Sequence, residues 1–216
     1  MPLRESDSDE SIDQLEKFRH ANVRPGMFVS GWEDPNDEVF EEKNPRETLH
    51  KEILWATEEG KSDLVESILM RDITTKDSRD EDGYTPLHRA AYSNKMDIAK
   101  ILLKYGANVN ARTEYEWTPL HSAVKWSNSE MAAFLLQHGA DVNALSQGQQ
   151  TPLHIAATVS NCRETAMTLM LEPNCNTAAL NNSEETAAQI ARRTGMSHPI
   201  FEMGHTAFTV ETGLVD

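Results

Sequence analysis

Cysteine, basic charge and long apolar runs are all scarce in this chain of 216 residues, and each scarcity narrows what it does. Two cysteines, Cys162 and Cys175, are too few for a disulfide framework and lack the CxxC spacing of a zinc site. No apolar run approaches the roughly 20 residues that span a bilayer. The first residues, MPLRESDSDESIDQLE, place acids where a secretory signal needs an apolar stretch. A reduced, intracellular protein without a membrane partner is therefore expected. Only 20 Lys and Arg stand against 35 Asp and Glu, a formal net charge of -15. Phosphate backbones and anionic lipid repel such a chain, and no basic cluster extends beyond Arg192-Arg193, so direct nucleic-acid binding is not expected. GxSxG, Walker-type, HExxH and paired Cys/His arrangements are missing too, which argues against an enzyme.

The acidity is uneven. Residues 1–50 hold 13 acidic and 6 basic residues, together with Pro25, Pro35 and Pro45 and little periodicity. Ile12, Leu15 and Phe18 fit one face of a short helix. Otherwise residues 1–45 read as a mostly disordered acidic segment. Ser6 and Ser8 lie in an acidic context suited to acidophilic kinases and are candidate phosphorylation sites. Acids interleaved with Phe28, Trp32 and Phe40 resemble an activation-type segment, against the plainer reading of a solvated tail.

What is abundant is internal repetition. Thr85-Pro-Leu-His88, Thr118-Pro-Leu-His121 and Thr151-Pro-Leu-His154 recur every 33 residues, and Gly106-Ala-Asn-Val-Asn-Ala111 and Gly139-Ala-Asp-Val-Asn-Ala144 keep the same period. Each threonine is placed to cap a helix, with proline at the first helical position, where its missing N–H is harmless. Leu87 and Ala90-Ala91 would face inward. Ile98, Ile101 and Leu102 follow helical spacing, and Gly106 and Gly139 suit left-handed helix ends. Upstream, Ile53–Thr57 and Asp63–Leu69 align at an offset of 34, with Lys51-Glu-Ile-Leu54 in place of the motif. Downstream, Thr186-Ala-Ala-Gln-Ile-Ala191 aligns at an offset of 35, so two extra residues enter around Ser160–Arg163 and Glu172–Asn176. In the turns before the motif, Gly83 is replaced by Glu116 and Gln149, which argues against taking the loop shapes as identical there.

Thr-Pro-Leu-His at this period, followed by Gly-Ala-Asp-Val-Asn-Ala, resembles the ankyrin repeat. The resemblance implies an all-α solenoid of helix-turn-helix repeats with β-hairpin-like loops. The array would run over 46–203: a degenerate capping repeat (46–80), full repeats at 81–113, 114–146 and 147–180, a partial C-terminal cap (181–203), then a flexible tail (204–216). It further implies a small, non-enzymatic intracellular protein, in the nucleus, the cytoplasm or both, that needs no cofactor or metal. It is expected to act as a monomer and to bind a protein partner.

Eight histidines invite a metal or catalytic reading. His88, His121 and His154 would form a ladder, but no carboxylate or cysteine accompanies them at ligand spacing. The alternative, in which each imidazole ties a helix to its loop, is preferred.

The resemblance also implies a binding surface made of hairpin tips and the concave face of the first helices. By alignment it comprises Arg79, Glu81, Asp82, Tyr84, Tyr92 and Ser93 from one repeat, and Arg112, Glu114, Tyr115, Trp117, Lys125 and Trp126 from the next. Leu145, Gln147, Gln150, Thr158 and Val159 follow in the third. Five of the chain's eight Tyr and Trp fall on this surface, and these are common interface anchors. Packing between repeats is the competing role, most credible for Tyr84 and Trp117. The groove mixes both charge signs, so its composition selects no particular partner charge.

Overall fold

The computed structural model describes residues 47–195 and 199–201. The proposed segment 1–45 with Ser6 and Ser8, and the tail 204–216, lie outside the described residues. Within them the chain is helical, without strands: α1 (Leu49–Glu58), α2 (Ser62–Arg71), a 3-10 turn (Ile73–Asp77), α3 (Pro86–Tyr92), α4 (Met96–Lys104), α5 (Pro119–Lys125), α6 (Ser129–Gln137), α7 (Pro152–Ala156), α8 (Arg163–Met170) and α9 (Ala187–Thr194). The hairpin-like character of the connecting loops is confined to five-residue turns. They close through backbone bonds from Asp80 to Tyr84 (3.1 Å), Thr113 to Trp117 (2.9 Å), Ser146 to Gln150 (3.0 Å) and Asn181 to Glu185 (3.1 Å).

Odd-numbered helices stack in one row, α1 on α3, α3 on α5, α5 on α7 and α7 on α9, with α3–α5 the most extensive contact among the described helices. Ala90, Ala91 and Ala123 are fully buried there; side chains this small let two helix backbones approach closely. Leu87, Leu102, Leu120 and Leu135, also fully buried, form the core between rows. A single helix pair would leave that apolar face in water, so stability depends on neighbouring repeats.

The motif's chemistry is visible at each first helix. Thr85, Thr118 and Thr151 are N-caps in extended conformation, with proline at the start of the helix. Their backbone N–H groups donate to Nδ1 of His88, His121 and His154 at 3.1, 3.2 and 3.2 Å. An Nδ1 that accepts cannot carry a proton, so the neutral imidazole is protonated at Nε2. Nε2–H then donates to the carbonyl of the following repeat: Trp117 at 3.0 Å, Gln150 at 3.1 Å and Glu185 at 3.1 Å. Each histidine thus joins its own cap to the next loop, as the preferred sequence reading holds. In α9, Gln189 takes the first half of this role, its Oε1 accepting from Thr186 N–H at 2.7 Å.

The second repeated motif has an equally local cause. Asn110 Oδ1 accepts from Asp141 N–H (2.9 Å), and its amide donates to Gly139 O (3.0 Å). Asn143 repeats this on Asn176 N–H and Asn174 O. Gly106 and Gly139 end α4 and α6 at φ of 77° and 87°, left-handed as expected.

Two expectations need correction. Glu116 and Gln149 do not change the loop shape: their φ values of 61° and 52° keep the left-handed turn that Gly83 makes at 83°. Each turn is held by a pair of backbone bonds, the closing bond above and a second from the left-handed residue itself: Gly83 N–H to Asp80 O (3.1 Å), Glu116 N–H to Thr113 O (3.0 Å) and Gln149 N–H to Ser146 O (2.8 Å). The first helix also starts before Lys51, because Thr48 caps it through Lys51 N–H (3.3 Å). The extra residues lengthen two connections. Thr118 and Asn128, the caps of α5 and α6, are ten apart; Thr151 and Cys162 are eleven apart.

Candidate functional site

The loops before α3, α5, α7 and α9 are tied tip to tip by Glu114 N–H to Asp82 O (3.1 Å), Gln147 N–H to Tyr115 O (3.0 Å) and Asn182 N–H to Gly148 O (3.1 Å). This ladder puts side chains 33 residues apart next to one another. Inside the first loop, Asp80 Oδ1 accepts from Asp82 N–H (3.1 Å) and Tyr84 N–H (2.8 Å). Thr113 Oγ1 and Ser146 Oγ accept from Trp117 and Gln150 N–H at 3.1 and 3.2 Å. The tips are therefore held in place by backbone bonds and by the side chains of Asp80, Thr113 and Ser146.

The candidate residues divide into three groups on this frame. Tyr84 and Trp117 are half-buried against the histidines, Tyr84 edge-on to His88 at 5.6 Å and Trp117 tilted on His121 at 5.9 Å. Each ring packs on the histidine of its own repeat, and Trp117 also lies against the hydrophobic core. Burial, then Asp82 and Asp80, raise the Tyr84 phenol's pKa above its ordinary value, so it stays neutral.

Arg79 and Arg112 point along the ladder. Arg79 Nη1 donates to Arg112 O (2.6 Å), and Arg112 Nη1 to Glu116 Oε2 (2.6 Å) and Leu145 O (3.3 Å). Their guanidiniums bind successive loops together, a use that alignment of single repeats does not reveal.

The third group faces outward. Tyr115 is 55% exposed and Trp126 47%; Glu81, Asp82 and Glu114 are exposed, and Tyr92 and Lys125 half-buried. Tyr92 and Trp126, at the ends of α3 and α5, form a T-shaped pair with centroids 4.7 Å apart. Asn128 fixes this end by donating its amide to Ala91 O (2.8 Å) and Tyr92 O (3.0 Å). The seven-residue helices separate the loop tips from the aromatic pair by about 10 Å.

Sequence reasoning passed over Arg89, which follows His88 in the motif. Its guanidinium joins Asp80 (2.5 Å) and Glu58 (3.7 Å), so this charge is compensated across two repeats. It also passed over Leu180, 52% exposed beside the fourth loop; Leu145, one loop earlier, is 42% exposed.

Among the described residues no group of three or more His, Cys, Asp or Glu is placed to hold a metal ion, and no helix is long and apolar enough to cross a membrane. Buried imidazoles engaged at both nitrogens have no lone pair to offer a metal.

A family model for ankyrin repeats (3 copies) matches residues 53–146, and one for ankyrin repeats (many copies) matches 135–191. The chain is 62% identical over 211 residues to ankyrin repeat domain-containing protein 49 of Drosophila melanogaster, covering 97% of this chain and 98% of that one. The chain belongs to the ankyrin-repeat family. The proteins of the same name from Homo sapiens and Mus musculus are 46% and 47% identical, each over 91% of this chain and 88% of theirs. Ankyrin-repeat arrays are generally protein–protein interaction modules and typically lack enzymatic activity.

Proposed function

We propose that the array, spanning about residues 46–203, is a monomeric docking module. It holds a protein partner across the tips of loops 79–84 and 112–117 and the Tyr92–Trp126 pair. The observation that carries this reading is the exposure of Tyr115 and Trp126 on a frame whose other aromatic residues are packed. Large rigid rings left in water on a fixed platform supply contact area at low entropic cost. The test is affinity purification of the full chain beside a Tyr115→Ala/Trp126→Ala variant. Partners recovered by the wild type and lost from the variant support the site; recovery of the same partners in equal yield ends it.

A narrower reading makes the protein a nuclear co-regulator, recruited by the repeats and active through its acidic N-terminal segment. It is supported by Phe28, Trp32 and Phe40 among acids, all outside the described residues. Residues 1–50 fused to a heterologous DNA-binding domain should raise reporter output, and silence would end that reading.

A further inference from the structure

The loops that form the proposed docking surface are strongly unequal in charge. Loops 79–84 and 112–117 carry five carboxylates (Asp80, Glu81, Asp82, Glu114, Glu116) and two guanidiniums, whereas loop 145–150 carries no charge. The sequence alone suggests a mixed surface, because Arg79 and Arg112 stand among the acids. In the structure both guanidiniums stay exposed, but each is engaged along the ladder. Arg79 Nη1 lies 2.6 Å from Arg112 O, and Arg112 Nη1 lies 2.6 Å from Glu116 and 3.3 Å from Leu145 O. Arg89 is likewise engaged by Asp80 and Glu58.

The acids are not symmetrically engaged. Asp80 bonds loop N–H groups and Arg89, and Glu116 has Arg112. The carboxylates of Asp82 and Glu114, both exposed, make no hydrogen bond or ion pair among the described residues. The ladder bond from Glu114 N–H to Asp82 O (3.1 Å) holds these two residues side by side on adjacent tips. Two like charges fixed as neighbours repel, and a cation between them relieves the repulsion. Tyr115 stands next in the chain with an exposed ring whose face attracts the same cation. Lys125, the third cation of the candidate set, lies at the far end of α5, beside Trp126.

We infer that the docking surface is built for a basic segment of a protein partner: an Arg or Lys seated on Asp82, Glu114 and Tyr115, with an apolar side chain against Tyr92 and Trp126 about 10 Å away. Charge complementarity selects this occupant; an acidic segment would meet the Asp82–Glu114 pair first. The inference rests on the docking reading above and specifies its partner.

The probe is a labelled synthetic peptide of alternating Arg-Leu and Gly-Ser dipeptides, with a second peptide carrying Glu for Arg, titrated against the full chain by fluorescence anisotropy. The Arg peptide should bind at least about tenfold more tightly than the Glu peptide and weaken as salt rises from about 50 to 500 mM. Asp82→Asn/Glu114→Gln should weaken the Arg peptide about fivefold, although it removes two of 35 acidic residues. Attraction by the acidic chain at large would leave that variant at wild-type affinity and overturn the inference. Equal or tighter binding of the Glu peptide would overturn it too. If Tyr115→Ala/Trp126→Ala abolishes binding while Asp82→Asn/Glu114→Gln does not change it, the charge assignment falls and the docking surface stands. If neither variant changes binding, the surface falls with it.

Discussion

His88, His121 and His154 occupy one position in three successive repeats and make the same bonds each time, to a threonine N–H behind and a loop carbonyl ahead. The outward positions a few residues away change at every step: Asp82, Tyr115 and Gly148 at the ladder carbonyls, Tyr92, Lys125 and Thr158 at or just past the ends of the first helices. The spine is uniform because each imidazole must satisfy partners in two repeats at once, which leaves it no freedom. The outer surface can vary because its backbone is already satisfied by the ladder, so the identity of its side chains is not fixed by the fold. If that division is right, perturbing the spine changes stability, and perturbing the surface changes binding alone.

Acid should strike the spine hardest. Burial holds His88 and His121 at about 4, against an ordinary value of 6.5, and lowers His154 as well. The folded state therefore binds fewer protons than the unfolded chain in that window, and stability rises with pH across it. It is fully present above about 6.5 and is lost as pH falls toward 4, on the order of 3 kcal/mol for each of His88 and His121. Asp72, whose carboxyl pKa is lowered by the Thr74 hydroxyl and N–H, loses its contribution only below 3.8, outside this window. Urea unfolding at a series of pH values reads the effect. A flat profile between 6.5 and 4 would remove the neutral-imidazole spine from the account.

Next in size is the core between the helix rows. Leu102→Ala or Leu135→Ala, each at a fully buried site, should cost about 2–5 kcal/mol in chemical denaturation. A loss below about half a kcal/mol would contradict the packing assignment.

A smaller contrast lies within the loops. At Gly83 an added Cβ would meet Glu114 N at 3.0 Å and Thr113 Cα at 3.2 Å, at a φ of 83°, so Gly83→Ala should cost about 1–3 kcal/mol. Gln149, at the equivalent position with φ of 52°, should gain from Gln149→Gly by less than about 1 kcal/mol, since relieved strain is offset by unfolded-state entropy. Thermal unfolding of the two variants should move in opposite directions.

These positions also show what the sequence made legible. Period, caps, core faces and the role of the histidines were readable, because each is stated three times at fixed spacing and has one local physical cause. The left-handed turns at Glu116 and Gln149 were not, because residue preference argues for glycine while the decisive factor is a bond pair formed across the loop. Thr48 was missed because alignment to Thr85 points to Lys51, although a threonine upstream of an apolar periodic run is itself a cap signal. For the candidate site, the exposed Tyr115 and Trp126 were found by alignment. The engagement of Arg79 and Arg112 depends on carbonyls 33 residues away and is invisible until repeats are stacked.

The smallest effect expected is at Tyr115. Its ring is 55% exposed, and the atom it contributes to the ladder is its backbone carbonyl, which accepts from Gln147 N–H at 3.0 Å. Alanine keeps that carbonyl, and with it the coupling of loop 112–117 to loop 145–150. Tyr115→Ala should therefore leave the unfolding free energy within about half a kcal/mol of wild type while weakening capture of the partner. Trp117→Ala, two residues on, removes a half-buried ring tilted against His121 at 5.9 Å and should cost more in stability than Tyr115→Ala. Equal stability losses at the two positions would mean that both rings belong to the packing, and the separation of spine from surface would fail where it is drawn most finely.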